Sequence, residues 1–83
     1  MPEIDRTSRL YPFEQIAAWL EDRIRRGDLK PGMPIPSETT LQQAFPGVAR
    51  TTIRRAVRLL RDRGLVETLP RRGTYVLPQD PPD

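Results

Sequence analysis

The 83-residue chain contains no cysteine and no histidine. Without thiols there are no disulfides and no thiolate metal ligands, and without imidazole the usual proton shuttle and zinc ligand are gone, so a zinc centre and histidine acid–base chemistry are both excluded. No glycine-rich phosphate loop and no paired carboxylates stand out, so an enzyme would have to work with isolated carboxylates or Lys30 acting unaided. The reading is therefore of a non-enzyme without metal or cofactor. Long apolar runs are absent too: nothing approaches the roughly 18 residues of a membrane span, and no charged segment leads into a signal-like apolar one. A cytoplasmic, nucleoid-associated location is expected, with no membrane partner. Only one Trp, two Tyr and two Phe are present, which leaves a small and mostly aliphatic core, enough for one domain.

What the chain does have is arginine in one place. The net charge is +3, with 14 basic and 11 acidic side chains, and 13 of the basic ones are Arg. Residues 1–49 carry six basic and seven acidic groups, residues 50–72 carry eight and two, and residues 73–83 carry two acids alone. A basic block of this kind points to a polyanion, and the planar guanidinium fork suits phosphates and guanine edges better than an ammonium does.

Residues 1–10 are polar and aperiodic and read as a flexible N-terminal arm. From residue 11 the domain begins. Phe13, Ile16, Leu20 and Ile24 recur at helical spacing, Pro12 suits a first turn and Gly27 a C-terminal stop. Three prolines and a Pro31-Gly32 turn break that helix, leaving room for a short extra strand near Met33 and Ile35. Ser37 then caps a second helix with Glu38 at its positive end and Leu41, Ala44 and Phe45 as its buried stripe, ended by Pro46-Gly47. The third helix, 50–63, buries Ile53, Val57 and Leu60. Gly64 stops it. Two strands follow, 65–69 and 74–77, joined by Pro70-Arg71-Arg72-Gly73 as a type I turn with the glycine in the left-handed position. The domain spans 11–77, and 78–83, rich in proline, reads as a disordered tail or the start of a linker.

Two helices separated by the few residues 46–49 have the spacing of a helix-turn-helix, and a basic hairpin directly after makes it a winged one, an α+β fold of three helices and a two-stranded wing. In such a unit the third helix offers its first turn to base edges in the major groove while the wing reaches phosphates or the neighbouring minor groove. Arg50 and Arg54 lie one turn apart at the start of that helix, so both can enter one groove and grip guanine. Thr51 and Thr52 reach phosphates or thymine methyls, or simply bond the local backbone. Arg55 and Arg58 are phosphate contacts or a solvated face. Arg61 and Arg63 answer the helix's negative end and nearby acids rather than DNA. Arg71 and Arg72 sit on the wing tip and face DNA. Trp19 and Tyr75 read as core or core edge, and Glu14, Glu21, Asp22 and Glu38 as surface or capping groups.

These stretches carry a resemblance to a known family. Phe13-Glu14-Gln15-Ile16-Ala17, Gly27-Asp28-Leu29-Lys30-Pro31-Gly32, Ile35-Pro36-Ser37-Glu38, Arg50-Thr51-Thr52-Ile53-Arg54-Arg55-Ala56, Gly64-Leu65-Val66 and Arg72-Gly73-Thr74-Tyr75-Val76 stand in the order and spacing of the DNA-binding domain of GntR-type bacterial transcription regulators, which the chain resembles over about residues 10–77. The resemblance implies a sequence-specific domain of a repressor, reading double-stranded DNA at an inverted-repeat operator often of GT…AC type. It also implies a C-terminal metabolite-binding and dimerising domain, for which this sequence has no room. Carried over residue by residue, the family's contacts fall on Arg50, Thr51, Thr52 and Arg54, and on Arg72-Gly73 of the wing. Ser37 and Thr39 complete the candidate set, although Thr39 stands where the family usually has Arg. Other departures are Thr40 in place of Glu, an extra Pro46 in the turn, Ala49 in place of a capping Ser or Thr, and Arg71 where the wing tip often has Gly.

The alternative reading is a winged helix used as a protein-interaction module, its Arg face meeting an acidic partner. Steep salt dependence and preference for one duplex sequence separate the two. No small-molecule effector is expected, because so short a chain is spent on its core, without space for a typical pocket of roughly 300 Å³. Only a weak homodimer on DNA is expected, since no heptad or long edge strand offers a dimer surface.

Overall fold

Helix α1 (Pro12–Arg26) forms where its apolar spacing and first-turn proline place it, and it buries Ile16, Ala17, Leu20 and Ile24. The Glu14 carboxylate accepts a hydrogen bond from the Tyr11 N–H at 3.0 Å, satisfying one of the donors a helix start leaves open. The helix belongs to a computed structural model that describes residues 3–79. Helix α2 (Glu38–Ala44) is capped by Ser37, whose Oγ accepts from the Thr40 N–H at 3.1 Å. Leu41 is its one fully inward residue, Ala44 is only half-buried, and Phe45 is buried just past the helix end, edge-on to Trp19 at 5.3 Å between ring centroids.

A short turn follows in which Gly47 takes φ 85°, a conformation costly for other residues. Helix α3 (Arg50–Asp62) then buries Ile53, Ala56 and Leu60. Val57, expected in that stripe, is half-buried instead. The stripe facing α1 runs i, i+3, i+7, so α3 is rotated by part of a turn and Val57 is carried to the margin. Among the residues at the end of α3, Arg63 reaches back to Glu21 of α1 at 3.2 Å, and Arg25 holds the same carboxylate at 2.9 Å. Hydrogen bonding from Arg25 first, then the charges of Arg25 and Arg63, keep the Glu21 carboxyl below its ordinary range against the opposing effect of burial. Because the folded value is the lower one, this contribution to stability is present above the unfolded carboxyl's range and is lost as pH falls through the folded value.

Strands β1 (Val66–Leu69) and β2 (Gly73–Val76) pair antiparallel, with Val66 opposite Val76 and Leu69 opposite Gly73. Each begins one residue away from its expected start, and β2 ends one residue early, but the ladder extends beyond them, with the Leu77 N–H bonded to the Leu65 carbonyl at 2.9 Å. The expected type I turn is not formed. The Arg72 N–H closes the turn onto the Leu69 carbonyl at 3.0 Å, with a positive φ on Arg71 at 65° in addition to the expected one on Gly73 at 121°. Pro70 fixes the first central residue near −65°, so a positive φ at the second has the pattern of a type II turn, normally given to Gly or Asn. The extra piece near Met33–Ile35 is realised as an isolated bridge between Pro34 and Tyr75, flanked by bonds from the Ile35 N–H to the Thr74 carbonyl and from the Val76 N–H to the Met33 carbonyl, both 2.9 Å. The architecture is thus the expected winged helix-turn-helix, with Leu65, Val66 and Val76 anchoring the wing in the core.

Residues 3–10 of the arm turn over the start of α1. Gln15 bonds the Asp5 N–H at 2.7 Å and donates to the Asp5 and Leu10 carbonyls at 2.9 and 3.0 Å, and Ile4 packs on the core. Positions 1–2 of the arm and 80–83 of the tail lie outside the described residues.

Two stability effects follow from the backbone. Ala49 is the N-cap of α3 and offers no side-chain acceptor, so Ala49→Ser is expected to raise unfolding free energy by about 1 kcal/mol in urea titrations. Arg71→Gly relieves a left-handed non-glycine residue and is expected to add about 1 kcal/mol, read by the same measurement.

Candidate nucleic-acid interface

The rotation of α3 that buries Ile53, Ala56 and Leu60 turns its arginines outward in two directions. Arg54, Arg58 and Arg61 follow one another at helical spacing and, with Val57, form one wall of an open groove of about 620 Å³. The segment Pro34–Glu38 makes the second wall, and Thr68, Arg72, Gly73 and Thr74 of the wing make the third. Four guanidinium groups therefore surround one groove that contains a single carboxylate, Glu38. A groove of this size removes the reason for expecting no room for a ligand, although it is open and basic rather than an enclosed apolar pocket.

Two acceptors on the α2 face organise the first turns of α3. Glu38 Oε2 takes the Arg54 Nε–H at 2.8 Å, while its Oε1 lies 3.9 Å from Arg50 Nε. Gln42, one turn further along α2, accepts from Arg50 Nε and Nη2, each at 3.3 Å. The Glu38 hydrogen bond, then its charge, hold the Arg54 guanidinium above its already high ordinary pKa. Arg54 stays fully charged at any pH at which the fold persists.

The remaining candidates separate by position. Thr51 is exposed between Arg50 and Arg54, and Thr52 is half-buried with its N–H bonded to the Ala49 carbonyl at 3.0 Å. Ser37 faces the groove but caps α2 and donates its hydroxyl to Thr40 Oγ1 at 2.9 Å. Thr39 is exposed. Arg55 is drawn away from the groove: its guanidinium carbon sits 4.0 Å over the Phe13 ring of α1, a cation–π contact that occupies it with the fold. Arg71 and Arg72 are exposed on the wing tip, Arg72 on the groove side, where the Tyr75 hydroxyl bonds its carbonyl at 3.1 Å.

The expectation that Arg61 answers nearby acids is corrected. Its Nη1 donates to Thr68 Oγ1 at 3.1 Å, and Thr68 in turn meets Thr74 Oγ1 at 3.1 Å, which fixes Arg61 across the gap between α3 and the wing. Arg63 behaves as expected and pairs with Glu21. Glu38, Gln42, Arg61 and Thr68 are thus the residues of this surface that sequence reasoning passed over. A signal existed for the first two, since Glu38 and Gln42 at i, i+4 share one face of α2.

A family model described as bacterial regulatory proteins, gntR family, matches residues 12–76. Among curated proteins, the Escherichia coli K12 mannosyl-D-glycerate transport/metabolism system repressor MngR is 44% identical over 64 residues, covering 77% of this chain and 26% of that protein. The Bacillus subtilis HTH-type transcriptional repressor NagR is 38% identical over 73 residues, covering 88% of this chain and 30% of its own length. The chain thus spans under a third of either relative. Among solved structures, the DNA-binding domain of AraR in complex with operator ORX1 superposes with a TM-score of 0.82 at 31% identity, covering 92% of this chain and 95% of that one. YtrA from Sulfolobus acidocaldarius, a GntR-family transcription factor, superposes with a TM-score of 0.81 at 31% identity over 93% of this chain and 80% of its own. With the family model running from the start of α1 to the end of β2, the chain belongs to the gntR family of bacterial regulatory proteins and carries that family's winged helix DNA-binding domain.

Proposed function

We propose that this domain reads an inverted-repeat operator in double-stranded DNA for a bacterial transcriptional repressor, with α3 in the major groove and the wing on phosphates or in the minor groove. The observation that carries this reading is the arginine-walled groove between α3 and the wing, continuous with the pair Arg50 and Arg54 at the start of α3. Membership of a regulatory family, and the operator-bound state of a structural neighbour, support the same reading.

The chemistry divides by position along α3. Arg50 and Arg54 stand at the helix start, the part that meets base edges, and each guanidinium can match the O6 and N7 acceptors of a guanine. Arg58, Arg61 and Arg72 line the groove behind them, spaced to follow a phosphate strand as it passes between major groove and wing. Ser37, Thr39, Thr51 and Thr52 add hydroxyls at the edge of this surface, and Arg71 and Gly73 bring the wing tip and its backbone to the duplex. Arg55 contributes mainly field, since Phe13 holds it. Two copies of the domain occupy the two half-sites with only weak contact between them.

Selection of bound sequences from a random duplex pool is expected to enrich an inverted repeat with guanines in each half. On that sequence, Arg50→Ala and Arg54→Ala are each expected to cost about 1–3 kcal/mol and to relax preference at one base pair. Arg55→Ala should instead cost about 0.5–1 kcal/mol of fold stability, with base preference intact. Unchanged binding by both Arg50 and Arg54 variants would show that the wrong face has been placed in the groove.

Arg61→Ala and Arg72→Ala are expected to weaken selected and scrambled duplexes by similar factors. Each should also flatten the slope of log K against log salt by about one unit. An unchanged slope in titrations from low to physiological salt would place those side chains in solvent, and binding to acidic protein surfaces with no duplex preference would favour an interaction module.

A further inference from the structure

We infer that Glu38 is a positioning residue for base readout: its carboxylate holds Arg54 by Nε, leaves the two terminal amino groups of the guanidinium for a guanine, and weakens sequence-independent attachment to phosphate. The inference rests on the proposed placement of α3 in the major groove.

The geometry is a bridge between two helices. Glu38 is the first residue of α2 and Arg54 lies in the second turn of α3, yet Oε2 and Nε stand 2.8 Å apart. Among the described residues the Nη atoms of Arg54 have no hydrogen-bond partner, so the contact uses one edge of the guanidinium and leaves the other open. A guanidinium can present two donors to an acceptor pair either side-on, through Nε and one Nη, or end-on, through both Nη atoms. A carboxylate on Nε blocks the first and keeps the second. Gln42 treats Arg50 differently, taking Nε and Nη2 together, so the two arginines are not presented alike.

Stability does not explain the arrangement. The Arg54 and Glu38 side chains are 57% and 39% exposed, and ion pairs that open to water add little to folding. What a fixed pair changes is the freedom that a long side chain must lose on binding, which a preset geometry removes in advance. The second effect is electrostatic. Glu38 is the one carboxylate in a groove with four arginines, so it opposes any phosphate placed there, whatever the sequence. That penalty falls on scrambled and selected duplexes alike and cancels in their ratio; what differs is the preset Arg54, whose end-on donors gain a contact only where a guanine stands. Specificity, as the ratio of the two, rises.

The test uses the full chain as wild type, Glu38→Gln, Glu38→Asp, Arg54→Ala and the double variant Glu38→Gln/Arg54→Ala. Anisotropy titrations are run against a duplex selected by the wild type from a random pool and against a scrambled duplex of equal composition. Glu38→Gln is expected to bind the scrambled duplex several-fold more tightly and to lower the selected-to-scrambled ratio about tenfold. Glu38→Asp keeps the charge and the helix-start acid but shortens the reach, so it should lower the ratio without tightening the scrambled complex. In the Arg54→Ala background, Glu38→Gln should leave the ratio where it is, and the Arg54 Nε–H resonance should lose its distinct position in Glu38→Gln. If Arg54→Ala collapses the ratio but neither Glu38 variant changes it, the positioning role is wrong and the placement of α3 stands. If Glu38→Gln costs as much with Arg54 absent, Glu38 touches DNA directly, which also overturns the inference. If Arg54→Ala itself leaves the ratio unchanged, the placement of α3 fails first.

Discussion

The packing of α3 on α1 is the constraint from which the surface chemistry follows. Ile53, Ala56 and Leu60 seat against the stripe of Ile16, Ala17, Leu20 and Ile24, and a helix locked along three inward residues has no choice about where its other side chains go. Ala56 is the small residue of that inward row, fully buried, and the rotation that places it there leaves Val57 at the margin. That rotation sorts the arginines. Arg54, Arg58 and Arg61 fall on the side of the wing, Arg55 falls over Phe13, and Arg63 falls toward Glu21. A chain with so much arginine in one helix would otherwise present an undifferentiated charge; here part of it is absorbed into tertiary contacts and the rest is gathered around one groove.

The acids of the molecule complete this sorting. Glu21 is buried enough, and paired closely enough, to serve as an anchor between α1 and the end of α3. Glu38 meets two arginines at the opposite end of the same helix. One carboxylate therefore ties the end of α3 to α1, and the other ties its start to α2. Two aromatic contacts of the same economy, Trp19 with Phe45 and with Arg23, close the core beside the turn.

Much of this was legible in the sequence because it depends on short-range pattern. The apolar spacing of α1, the Ser37 cap, the arginine block and the order of helix, turn, helix and hairpin are all local signals, and they led to the winged helix and its family. What the sequence did not reveal depends on rotation and on partners distant in the chain. The difference between Ala56 and Val57 as the inward residue is a matter of about 100° around one helix, and composition favours valine. Arg61 looked like a helix-end charge until the wing folded back to bring Thr68 beside it. The turn was misread for a different reason: Gly73 takes the positive φ expected of it, at 121°, but Pro70 suits the first central position of type I and type II turns alike, so nothing local showed that Arg71 would take a positive φ as well.

The bridge between Pro34 and Tyr75 has a consequence for the behaviour of the molecule among its own copies. A two-stranded hairpin exposes two edges, each a row of backbone groups that another chain can join. Here the β2 edge is already occupied by residues 32–35, and the residue at its centre is a proline, which has no N–H to offer a further strand. The β1 edge is four residues long and carries Glu67. A wing built this way can project from the domain, as a groove-reaching hairpin must, without becoming a template for aggregation when many copies crowd together.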